Sequence, residues 1–201
     1  MKRIPHPVML HGQLVRLEAL SETHFDELII AGEDAVIWEN LPVNGATPGK
    51  LQAELRNALL HRTAGTQYPF AVIDVASGKA IGSTRFIDIF PEHNKLEIGW
   101  TWYTPAYWGK GHNLECKLLL LRYCFETLEL NRVQLKTRDT NARSRAAIEK
   151  IGGKFEGILR KDRIMPDGQV RDTYVFSIID DEWKETEAAL LQRLQPFLNQ
   201  I

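Results

Sequence analysis

Hydrophobic and polar positions alternate over some stretches of the chain and recur at helical spacing over others. Residues 12–20 (GQLVRLEAL) alternate loosely enough to predict a strand. Ser21 or Thr23 then caps a helix with Phe25, Leu28 and Ile29 on one face, ended by Gly32. Residues 34–46 read as an irregular connection. Thr47-Pro48 opens a second helix in which Leu51, Leu55 and Leu59 recur until Gly65. The period changes over 68–105. YPFAVIDV, AIGSTRFIDIF and KLEIGWTWY read as three strands joined by the turns SGK and PEHN, a meander. Strict alternation in the third puts Leu96, Ile98, Trp100 and Trp102 on one face and Lys95, Glu97, Gly99, Thr101 and Tyr103 on the other.

After the loop 105–113, Leu114, Leu118, Leu121, Phe125 and Leu128 form the buried stripe of a long helix. RVQLKTR is a strand, and Asn141 caps a short helix that ends at Ile151-Gly152-Gly153. Two more strands come next, joined by Pro166-Asp167-Gly168, and the tail is helical from about 181 to 198. Helices mixed among meander strands give an α+β chain. No break resembles a linker, so residues 1–201 are expected to form a single domain.

Composition narrows the class. The chain has 201 residues, 44% of them hydrophobic, which suits one soluble domain. With 25 Lys+Arg against 26 Asp+Glu the net charge is −1, which argues against a nucleic-acid partner. No apolar run approaches the roughly 18–20 residues of a membrane span; Leu118–Leu121 is bracketed by Lys117 and Arg122. No signal segment is evident, so a cytoplasmic protein without a membrane partner is expected. Cys116 and Cys124, about 12 Å apart along one helix, are too far apart to bridge each other. The six histidines show no metal spacing, and no metal is expected.

The chemistry-bearing stretch is Trp108-Gly109-Lys110-Gly111-His112-Asn113, between a strand and a long helix. Helix N-termini leave backbone N–H groups without partners, and glycines let a phosphate approach them. A Walker loop is missing its Ser/Thr and its first glycine, and a dinucleotide fingerprint is missing its third glycine, since Leu114 stands there. A phosphate-binding turn and a plain tight connection both remain. Lys136, Arg138, Arg143 and Arg145, against Asp139, add a basic stretch on the next strand and helix.

Two segments, EIGWTWYTPAYWGKGHNLECKLLLLRYCF (97–125) and NRVQLKTRDTNARSRAAIEKIGGKFEGILR (131–160), resemble the GNAT superfamily of N-acetyltransferases, and especially its RimJ/RimL-type branch. The resemblance implies a GNAT fold: a mixed, mostly antiparallel central sheet flanked by helices, here with an extra C-terminal helix. It implies acetyl-CoA as cosubstrate and direct transfer of the acetyl group to a primary amine, a protein N-terminus or a small molecule, without an acyl-enzyme. The branch also implies a possible homodimer. Trp108, Gly109, Lys110, Gly111, His112 and Asn113 take the place of the pyrophosphate loop, although Trp108 and Asn113 depart from the family's Gln/Arg and Gly/Ala. Trp102 and Tyr103 match the strand that faces the pantetheine arm, and Asn141 and Ser144 the helix that contacts it. Glu97 matches the family's acidic residue and is the expected base. Ser144, with Tyr103 as substitute, is the expected acid, because Ile148 stands where many relatives have tyrosine. Trp38, Glu39 and Asn40 in the irregular segment are the expected acceptor pocket. A non-catalytic acyl-CoA-binding module of the same fold is the alternative.

Overall fold

The computed structural model describes residues 1–165 and 168–199. Its centre is an eight-stranded sheet in the order β1-β2-β3-β4-β5-β6-β8-β7. The strands are β1 (Met9–His11), β2 (Val15–Ala19), β3 (Tyr68–Asp74), β4 (Ala80–Phe90), β5 (Lys95–Tyr103), β6 (Arg132–Arg138), β7 (Lys154–Ile164) and β8 (Val170–Ile179). Neighbours are antiparallel except β5 and β6. A parallel pair needs a crossover, and helix α3 (His112–Arg122), prolonged by a π turn over Tyr123–Thr127, supplies it.

The sheet separates two apolar layers. On one face, α3 and α5 (Trp183–Leu198) bury Leu118, Leu121, Phe125, Leu128, Leu190 and Leu194 against Leu96, Ile98, Val133, Leu135 and Phe176. On the other, α1 (Phe25–Ala31) and α2 (Lys50–Thr63) bury Phe25, Leu28, Leu51 and Leu55 against Ala71, Ile73 and Trp102. The fold is thus the expected GNAT architecture, with α4 (Ala142–Lys150) capped by Asn141 as foreseen: its side chain accepts from the Ser144 N–H at 3.0 Å.

Some local expectations shift. The first predicted strand begins only at Val15, because the Glu115 carboxylate takes the N–H groups of Gln13, Leu14 and Val15 at 2.7–2.8 Å. The edge strand β1 is an element the residue pattern did not suggest. Helix α2 starts after Pro48, at Lys50, behind Gly49 with φ +77°. Pro166 and Asp167 of the last predicted turn lie outside the described residues; Gly168 has φ +82°.

The single-face assignment for β5 is corrected. Arg85 pairs with Gly99, but Ser83 pairs with Trp102, so β5 carries one extra residue. Trp100 adopts φ +53° at this bulge, and a bulge re-aims the side chains beyond it. Leu96 and Ile98 face the α3 layer, Trp102 joins the α1–α2 layer, and Tyr103 returns to the α3 side.

Candidate active site

The strands β5 and β6 pair only at Lys95–Arg132, Leu96–Val133 and Glu97–Gln134. Beyond Glu97 they part, and their carboxyl ends frame a cleft of about 400 Å³. Carboxyl ends of parallel strands are where open sheets bind ligands.

The glycine loop lies at the cleft's open end. Gly109 (φ +75°) and Gly111 (φ +85°) need the left-handed region. Tyr107 and Trp108 donate their N–H groups to Thr104 and Pro105, and Glu115 donates to Gly111. Among the described residues nothing accepts from the amides of residues 109–114. Those donors suit a pyrophosphate at a helix start. Two further observations fit. A Cβ on Gly109 would meet nothing within 4 Å, so the loop's outer side is open. The Asn113 Oδ1 lines the cleft buried and without a partner among the described residues, as an acceptor awaiting a ligand donor would.

Other loop residues turn inward. A Cβ on Gly111 would lie 2.7 Å from Phe197 Cγ, so this glycine admits α5 rather than a phosphate. The His112 ring is buried, its Nε2 3.1 Å from Asp74 Oδ1 and its Nδ1 3.1 Å from the Lys110 carbonyl. Its backbone remains at the helix start while its side chain anchors the loop to β3. Burial pushes the Asp74 carboxyl up, but hydrogen bonds from Ser77 and His112 outweigh this and hold it below its ordinary range. Lys110 is exposed. The Trp108 indole N–H donates to the Tyr103 carbonyl at 3.0 Å, and the Arg143 guanidinium stacks 3.9 Å from its ring centre. That stack joins the loop to α4 across the cleft.

Glu97 lies where the strands divide. It is 5% exposed and lines the cleft. Its Oε2 meets Lys136 Nζ at 2.9 Å and accepts from Gln134 Nε2 at 3.2 Å, leaving Oε1 without a hydrogen bond from the described residues. Lys136 also reaches Asp88 at 3.2 Å. Burial raises the Glu97 pKa, Asp88 adds to it, and Lys136 and Gln134 offset only part. A carboxylate that lines the cleft with one oxygen free of hydrogen bonds from the described residues is placed to accept a proton.

Across the cleft stand Asn141, Ser144 and Ile148 on the α4 side. The Tyr103 hydroxyl does not join them. It is buried beside the Cys116 thiol without an oxygen or nitrogen partner among the described residues, and burial pushes its pKa well up. That position argues against Tyr103 as a proton donor to the cleft. In the irregular segment, Asn40 lines the cleft, with Ile37, Leu41 and Pro42. Trp38 is instead a core residue: 4% exposed, its indole donates to the Gly32 carbonyl at 2.8 Å and its ring lies 5.1 Å from that of Trp102. Glu39 points to solvent.

Lys117 is a cleft residue that sequence reasoning missed. It is 6% exposed, one helical turn after Asn113, and donates to Thr101 Oγ1 at 2.7 Å. No carboxylate among the described residues pairs with it, and burial lowers its pKa to about 8. A lysine embedded among buried-stripe leucines was the available signal.

The sequence profile of the acetyltransferase (GNAT) domain family matches residues 15–154. Among curated relatives, "Uncharacterized N-acetyltransferase YnaD" of Bacillus subtilis (strain 168) is 34% identical over 104 residues, 51% of this chain and 59% of that protein. "Putative ribosomal N-acetyltransferase YdaF" of the same organism is 34% identical over 107 residues, 53% of this chain and 57% of that protein. The matched region thus spans under two thirds of either relative's length. Among solved structures, a GCN5-related N-acetyltransferase from Brucella melitensis superposes with a TM-score of 0.87 at 31% identity, over 94% of this chain and 86% of that one.

Proposed function

The chain belongs to the acetyltransferase (GNAT) domain family, and on that premise we propose that it transfers an acetyl group from acetyl-CoA to a primary amine by direct attack. The observation that carries the reading is the row of amides from residue 109 to 114, unclaimed among the described residues, at the mouth of the split between β5 and β6. These amides would hold the coenzyme's pyrophosphate, with Gly109 giving access and Asn113 and Asn141 meeting the polar atoms of its arm. When bound, acetyl-CoA supplies an activated acyl carbon with a thiolate as leaving group.

This chain's residues do the rest. An amine arrives mostly protonated at neutral pH. Glu97 takes its proton through the open Oε1, directly or through one water, while Lys136 and Gln134 fix the other oxygen. Ser144, lining the opposite wall, is the proposed donor to the leaving sulfur. Both cysteines are free and buried with raised pKa values, which supports direct transfer over an acyl-cysteine. Among the described residues no helix is long and apolar enough to cross a membrane.

The RimJ/RimL-type branch, and with it a protein N-terminus as acceptor, is the finer proposal; the likeness to YdaF supports it. A homodimer belongs to the same proposal. Exposed Phe155, Ile158 and Ile164 on β7, at the sheet's edge, support it, and sedimentation tests it. The non-catalytic acyl-CoA-binding reading is favoured by Ile148 and by the buried Tyr103 hydroxyl. The deciding experiment is calorimetry with acetyl-CoA together with a free-thiol release screen over peptides and small amines. Binding with release supports the transferase; binding without release from any amine supports the second reading; no binding at millimolar acetyl-CoA refutes both.

A further inference from the structure

The strand register gathers three arginines on the face of the sheet that carries Glu97. Gln134 pairs with Glu97, and Lys136 and Arg138 succeed it at two-residue steps on that face. Arg138 stands opposite Thr173 of β8, and Arg171 of β8 stands opposite Arg163 of β7. All four line the cleft. Lys136 is already engaged by Glu97 and Asp88. The arginines are poorly matched. Arg163 lies 3.6 Å from Asp162, and Arg138 donates to Gln169 at 3.4 Å. The Nε atoms of Arg138 and Arg171 are buried without partners among the described residues. So is the Thr173 hydroxyl, on a residue only 2% exposed. Burial lowers the Arg171 pKa, Arg163 and Arg138 lower it further, and Asp162 and Asp139 oppose them.

Like charges and unpaired donors collected in one wall of a cleft cost free energy until an anion satisfies them. Guanidinium groups are the donors suited to carboxylate and phosphate oxygens. We propose that the acceptor amine carries an anionic group, a carboxylate or a phosphate, held by Arg138, Arg163, Arg171 and Thr173 while its amine reaches Glu97. The amine part rests on the transferase reading above; the anion site does not. The coenzyme's own ribose phosphate is the competing source of the same chemistry. The cluster's position on the Glu97 face, with α3 packed on the opposite face, favours the acceptor.

Calorimetry on the CoA-loaded protein compares 4-aminobutyrate with butylamine and O-phosphoethanolamine with ethanolamine. The anionic member of each pair binds about tenfold more tightly, the scale of one charge-assisted hydrogen bond. Arg171→Gln removes most of that advantage and Arg171→Lys restores part of it. Arg138→Gln serves if Arg171→Gln fails to fold by circular dichroism. No preference in either pair, including no binding by any member, overturns the proposal. So does an Arg171→Gln variant that weakens CoA but not dephospho-CoA, since the cluster would then belong to the coenzyme. Preference for the anionic amines with no thiol release from acetyl-CoA leaves the anion site standing and removes the transferase reading instead.

Discussion

Lys136 Nζ sits 2.9 Å from Glu97 Oε2 at the point where β5 and β6 separate. The pair joins the two strands just before the cleft opens and leaves the second carboxylate oxygen facing it. The Glu97 carboxyl is pushed up by burial and drawn back in part by this ammonium.

Glu97→Gln is expected to lower turnover about 100-fold near neutral pH, within the range of lost general-base catalysis. The deficit narrows as pH rises toward the acceptor's own pKa, because a neutral amine needs no base. Acetyl-CoA affinity by calorimetry stays as in the parent protein. A pH–rate profile identical to the parent's would remove Glu97 from the mechanism.

Lys136→Met leaves Glu97 buried without its cation. Its pKa then rises further, so the acid limb of kcat/KM moves to higher pH. Measuring kcat/KM from pH 5 to 9 checks the direction; an unmoved limb would mean that Glu97 does not set it.

The two loop glycines are expected to fail differently. Gly111→Val forces a Cβ to 2.7 Å from Phe197 Cγ at φ +85°, and should cost about 2–4 kcal/mol in denaturant unfolding. Gly109→Val meets open space and carries mainly backbone strain of about 1–2 kcal/mol. It should weaken acetyl-CoA binding out of proportion to that loss. Equal coenzyme affinity in Gly109→Val would make the loop a connector only.

Lys117 has a folded pKa of about 8 against 10.5 unfolded. Its burial penalty is complete below pH 8 and fades as pH rises from 8 to 10.5, where the unfolded state binds more protons than the folded one. Lys117→Met should therefore raise stability by about 2 kcal/mol at pH 7, with the gain shrinking by pH 10. Thermal unfolding at the two pH values tests the sign.

The limits of β5 and β6, the Asn141 cap and the buried stripe of α3 arise from local pattern and turn chemistry, and the sequence carries all of them. The bulge at Trp100 is different. It exists because β4 and β5 fall out of step, a relation between residues some fifteen positions apart that strict alternation cannot express. Trp38 was misplaced for a related reason. A tryptophan in a loop looks available until the Gly32 carbonyl and the Trp102 ring are seen to claim it. That Glu97 and Ser144 belong to the cleft lining was legible through their likeness to a family motif, and that Asn113 does only through its place in the glycine loop. Arg138 was legible only as part of a basic stretch, and Lys117, Thr173, Arg163 and Arg171 were not, since only the splay of β5 from β6 and the register of β6, β8 and β7 bring them to one cavity.

The Glu115 carboxylate collects three successive amides from residues 100 to 102 positions upstream. The helix that begins at the glycine loop is thereby moored to the amino-terminal turn. A lesion at residues 13–15 would accordingly surface as poorer coenzyme capture with the proton-transfer groups intact. The opening segment of the chain would thus act as a brace for the proposed coenzyme loop.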